Sequence, residues 1–101
     1  MIFCIDIDDT VLFSRVSNDG SYTLLNGCGY MVEKVNSLYD AGHTIIMQTG
    51  RHWNHLIDTI KQLKEIGLRY HTVVMGKPFA HYYIDDKGIT PEDFLKLGVE
   101  L

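Results

Sequence analysis

At 101 residues, with 46% hydrophobic residues, 22% charged residues and a formal net charge of −4, the chain has the size of one domain (1–101) and an ordinary globular make-up. Its nine Lys and Arg are scattered rather than blocked, which argues against nucleic acid or an acidic membrane surface as partner, and no apolar run approaches the ~20 residues of a membrane span. Cys4 and Cys28 form neither a disulfide framework nor a CxxC metal site, and Met1 leads into apolar strand sequence rather than a basic-then-apolar leader, so the expected setting is reducing and cytoplasmic.

In chain order, Ile2, Phe3, Cys4 and Ile5 open a strand over 2–7 that is too apolar to alternate at a surface. Residues 11–30 are irregular, with Asn18-Asp19-Gly20 as a turn between two short stretches, 12–13 and 22–25, that can pair as a hairpin flap. Apolar residues at 31, 32, 35, 38 and 39 predict a helix that Gly42 stops. A second strand follows over 43–49. Trp53, Leu56, Ile57, Ile60, Leu63 and Ile66 then mark an amphipathic helix ending at Gly67. Two further short strands are expected over 72–75 and 81–84. Thr90-Pro91-Glu92-Asp93 has the capping hydroxyl, first-turn proline and first-turn acids of a helix start, which predicts a last helix over 91–97.

Apolar strands alternating with helices predict an α/β fold: a mainly parallel sheet of about four strands, covered by helices on both faces. In such sheets ligands bind beyond the carboxyl ends of the strands. Polar clusters fall at each of those ends: Asp6-Ile7-Asp8-Asp9-Thr10, Thr49-Gly50-Arg51, Gly76-Lys77-Pro78 and Asp85-Asp86. Carboxylates crowded at the edge of a core repel one another unless a cation compensates, and the fitting cation is a hard, oxygen-liganded divalent metal.

These groups match what phosphoryl transfer requires. Asp6 would be the nucleophile. Asp8, on the same side of an extended backbone, would protonate the leaving alkoxide and then deprotonate water. Thr49 offers a hydroxyl donor, Gly50 lets the backbone approach the phosphate, and Lys77 supplies a fixed positive charge. Asp85 and Asp86 would complete a Mg²⁺ site at the Asp6 cluster, one of the pair acting directly and the other through water or by orienting Lys77.

Together the four clusters resemble motifs one to four of the haloacid dehalogenase superfamily of phosphohydrolases, in order and over essentially the whole chain. The resemblance implies a Rossmannoid three-layer α/β/α core, Mg²⁺ as cofactor, an aspartyl-phosphate on Asp6, and a metal contact from the Asp8 backbone carbonyl. Aspartate rather than threonine at position 8 is similar to the phosphatase branch. The chain is short enough to leave no room for a cap domain. It resembles capless members of capsule and lipopolysaccharide biosynthesis, which implies a sugar phosphate as substrate; capless relatives either act on large substrates or form a homo-oligomer in which a neighbour covers the site.

Plainer roles compete at several positions. Asp9 reads as a turn residue rather than a catalytic one. Arg51 either binds substrate or caps a carboxylate. Ser14 and Arg15 are either contacts to the leaving group or solvated flap residues, and His52 is a candidate substrate contact, while His52 and His55, three apart and lacking a third ligand, read as rim residues rather than a zinc site. Trp53, Tyr82 and Tyr83 are expected in the core. A phospho-accepting receiver module is the reading from another class, but it needs an acceptor Asp at its third strand, and the 72–75 strand ends without an acid. A polynucleotide end-phosphatase is opposed by the acidic charge and the lack of a basic groove.

Overall fold

The computed structural model describes residues 1–100. In chain order it contains β1 (Ile2–Asp6), β2 (Leu12–Val16), β3 (Tyr22–Gly27), α1 (Gly29–Asp40), β4 (Thr44–Gln48), α2 (Leu56–Glu65), β5 (Thr72–Val74) and α3 (Pro91–Lys96), with a single 3₁₀ turn, Trp53–His55, leading into α2. β1, β4 and β5 form a parallel sheet with β4 in the middle, and β2 and β3 form a separate antiparallel hairpin. This is a small Rossmannoid α/β architecture.

The register pairs Phe3 with Ile45 and Ile5 with Met47, so these side chains share one face of the sheet. Ile45 and Met47 are wholly buried there beneath the α1 stripe Met31, Val32, Val35 and Leu38. Phe94 of α3 extends the same core by packing edge-on to Phe3, with ring centroids 6.0 Å apart. Thr90 caps α3 by accepting from the Asp93 N–H, with Pro91 at its start. The sheet has three strands where the sequence pattern predicts about four, and its other face is open rather than covered by helices: Ile2, Cys4 and Val74 are exposed there.

The hairpin runs longer than sequence signals alone predict, over 12–16 and 22–27. Its turn is closed by Ser17 and Ser21 backbone groups, and the Asp19 carboxylate accepts from both the Ser21 N–H and hydroxyl, which holds that carboxyl below its usual range. Gln62 donates to the Tyr22 carbonyl and ties the hairpin to α2.

Two local expectations fail as well. Residues 81–84 form no strand: β1 pairs with β4 alone, and Tyr82, Tyr83 and Ile84 are exposed rather than core. Local contacts claim this segment instead, because the Tyr83 hydroxyl donates to the Pro78 carbonyl and the Asp85 carboxylate accepts from the Lys87 N–H. In α2, the residues buried are Thr59, Gln62 and Leu63, whereas Ile57 and Ile60 face solvent together with Trp53. Among the described residues, no helix is long and apolar enough to cross a membrane.

Candidate active site

The carboxyl end of β1 delivers Asp6, and the chain then turns sharply. The N–H groups of Thr10, Val11 and Leu12 all point at the Ile7 carbonyl, and Asp9 takes a left-handed conformation (φ 60°) that Asp tolerates better than most residues. Asp9 thus serves the turn. The loops after β4 and β5 are joined by backbone bonds, Gly76 N–H to the Arg51 carbonyl and Lys77 N–H to the Thr49 carbonyl, at 2.8 and 2.9 Å. Gly76 has φ 77°, and a Cβ on Gly50 would stand 3.4 Å from the Lys77 carbonyl oxygen, so glycine suits both positions.

This stitching aims Lys77 at Asp6, with Nζ 2.9 and 3.2 Å from the two carboxylate oxygens. The ammonium also stands 4.0 Å from the centre of the Tyr83 ring. Cys4, two residues before Asp6 on the same side of β1, senses both charges. Desolvation pushes its thiol up, the Asp6 carboxylate adds to that, and Lys77 partly offsets it. A raised pKa means less thiolate near neutrality, so alkylation of Cys4 by iodoacetamide should run slower than that of a free thiol. Lys77→Ala should slow it further and Asp6→Asn should speed it. Rates unmoved by either variant would contradict this electrostatic arrangement.

Asp8 sits in a second cluster. Arg51, whose side chain is fully buried, holds it through Nε and an Nη at 3.1 and 2.7 Å, and the Thr49 and Ser14 hydroxyls donate to it at 3.1 and 3.0 Å. The other Nη of Arg51 donates to Thr59 and Gln62, and the guanidinium lies 4.3 Å from the centre of the Tyr22 ring. Arg51 is therefore committed to the Asp8 carboxylate and to α2, the capping role, rather than turned toward solvent. Its partners Tyr22, Thr59 and Gln62 escaped sequence reasoning. The available hint was two polar residues three apart on α2, on what proves to be its buried face.

Asp85 lines an open crevice of about 770 Å³ together with Asp6, Lys77, Tyr83 and the outer side of β1. Asp86 is exposed and does not line it. Arg15 is exposed on β2, and His52 is exposed and bonded to Asn54. The structure thus brings Asp6, Lys77 and Asp85 to one crevice and Asp8, Thr49, Ser14 and Arg51 to one cluster beside it, while Arg15, His52 and Asp86 join neither. Among the described residues, no three His, Cys, Asp or Glu side chains stand close enough to form a closed metal cage. Mg²⁺ does not need one, since it binds through one or two carboxylates and keeps several waters. Asp6 and Asp85 are hard donors on an open crevice and suit that chemistry.

Compared by sequence, the chain matches no family profile and no curated protein. Compared by structure, it is similar to an MCSG target protein from Vibrio cholerae, with a TM-score of 0.72 and 18% identity over 98% of this chain and 90% of that one. It is also similar to the 3-deoxy-D-manno-octulosonate 8-phosphate phosphatase of Moraxella catarrhalis, solved with a magnesium ion, a phosphate ion and KDO. There the TM-score is 0.50 and the identity 19%, covering 75% of this chain and 41% of that one. At such identities the likeness is one of fold.

Proposed function

We propose that the chain is a Mg²⁺-dependent phosphomonoesterase of the haloacid dehalogenase type, acting on a sugar phosphate through an aspartyl-phosphate. The observation that carries this reading is Asp6, a half-exposed carboxylate at the carboxyl end of a parallel strand and held by Lys77, with Asp8 two residues on. The fold likeness to a phosphatase solved with magnesium and a sugar acid supports it.

In this reading an Asp6 oxygen attacks phosphorus and the ester P–O bond breaks, with Lys77 opposing the charge on the phosphoryl oxygens. Asp8 gives its proton to the leaving alkoxide, then takes one from the water that cleaves the aspartyl-phosphate and frees inorganic phosphate. Bound Mg²⁺, held by Asp6 and Asp85, would neutralise charge on nucleophile and phosphate. Arg51 and Thr49 position the Asp8 carboxylate rather than touching substrate. A protonated carboxyl oxygen must give up an accepted bond, and Ser14 suits that change, because its hydroxyl can turn from donor to acceptor at Asp8 Oδ1. We place the enzyme in the cytoplasm; the exposed Phe79, Tyr82 and Ile84 favour association of copies.

Purified protein should release phosphate from hexose phosphates in Mg²⁺, and EDTA should reduce the rate to background until Mg²⁺ is restored. Phosphate release indifferent to EDTA would remove the metal from the reading.

A further inference from the structure

We propose that Trp53 is the wall against which the substrate's leaving group stacks, so that the site favours esters whose leaving group is a ring with an apolar face, a cyclic sugar foremost. This rests on the phosphatase reading and deepens it. Hydrophobic spacing alone puts Trp53 in the core, yet the residue is 55% exposed. The 3₁₀ turn that carries it begins two residues after Arg51, the most tightly bonded side chain of the site, and its indole lies against the loop after β5. A Cβ added at Gly76 would stand 3.4 Å from the indole Nε1 and 3.5 Å from Cδ1.

Gly76 directly precedes Lys77, whose ammonium reaches Asp6. The ring thus stands beside the loop that carries Lys77, outside the lining of the crevice itself, where the part of a substrate beyond its phosphate would reach, and glycine at 76 leaves it room there. A rigid indole presents a broad apolar face at little entropic cost, while its N–H edge lies against Gly76. That face suits stacking against the apolar side of a sugar ring. The exposed stripe continues along α2 through Ile57 and Ile60, which makes a second copy of the chain the competing occupant.

Trp53 is the sole tryptophan, so tryptophan emission reports on this residue alone. With the Asp6→Asn variant in Mg²⁺, glucose 6-phosphate should change that emission saturably and inorganic phosphate should change it far less. In the active protein, Trp53→Ala should lower the ratio of kcat/KM for glucose 6-phosphate over acetyl phosphate by roughly threefold to tenfold, mainly through KM, and Trp53→Phe should restore most of it. Several results would overturn the proposal: calorimetric binding of glucose 6-phosphate without an emission change, no binding at all, or an equal loss on both substrates in Trp53→Ala. Emission that follows protein concentration instead of ligand would likewise overturn it and assign the stripe to self-association. Should the unmodified protein release phosphate from neither substrate, the catalytic reading fails, while the titration still decides whether Trp53 meets a sugar phosphate.

Discussion

Truncating Asp8 to alanine is expected to destabilise the protein by about 3–5 kcal/mol, although it is the more exposed partner of its ion pair. Its carboxylate is 30% exposed, whereas the Arg51 side chain is wholly buried. Removing the acid therefore leaves a cation inside the protein with no counter-charge, the costliest way to break such a pair. Removing the base is a different experiment. Arg51→Met leaves Asp8 able to take up water, but it removes the N–H donor that Thr59 Oγ1 and Gln62 Oε1 both accept from, so a loss of about 2–4 kcal/mol is expected from buried polar groups. Arg51→Lys should rescue little, since an ammonium cannot span Asp8 on one side and Thr59 and Gln62 on the other.

Urea unfolding followed by circular dichroism measures all three variants. Against a domain stability of about 5–15 kcal/mol, losses of that size shift the midpoint far outside error. If Asp8→Ala and Arg51→Met each cost under about 1 kcal/mol, Arg51 is not the hub that its contacts imply. Asp8→Asn keeps an acceptor for the guanidinium and should be milder, which separates loss of charge from loss of contact.

The sequence made β1, α1, β4 and α3 legible because each carries a local signal: an unbroken apolar run, a 3.6-residue stripe, or a hydroxyl-proline-acid start. It made the placement of Asp6 and Lys77 legible as well, because strand ends in a parallel sheet share one edge. What it did not carry is what covers what. Ile57, Ile60, Trp53 and the 82–84 run are apolar by composition, yet their exposure depends on elements distant in the chain. The same holds for Arg51. Its sequence neighbours leave substrate binding and carboxylate capping equally open; the contacts that decide between them come from Asp8, forty-three residues earlier, and from α2 and the Tyr22 ring. The 81–84 segment alternates between strand composition and loop chemistry, and the side-chain bonds of Tyr83 and Asp85 favour the loop.

Asp6→Asn is expected to leave the fold intact and to lower phosphate release on the order of 10³-fold or more, as loss of a nucleophile does. The contrast with Asp8 follows from burial. Asp6 and Lys77 are 46% and 18% exposed at the side chain, so their pairing contributes only about 0–1 kcal/mol, and an amide oxygen still accepts from the ammonium. Catalytically the exchange is severe, because an amide oxygen is a poor nucleophile and carries no charge for Mg²⁺ or Lys77 to meet. Lys77→Ala should spare the fold in the same way and lower kcat more than it raises KM, since its charge is needed most as the phosphoryl group transfers. Steady-state rates on a hexose phosphate, set beside urea midpoints for the same proteins, read both quantities. Asp6→Asn with turnover within about tenfold of the unaltered chain would remove Asp6 from the nucleophile's place, whatever its stability. A collapse of stability in that variant would instead show that the Asp6–Lys77 contact belongs to the framework, as the Asp8–Arg51 contact does.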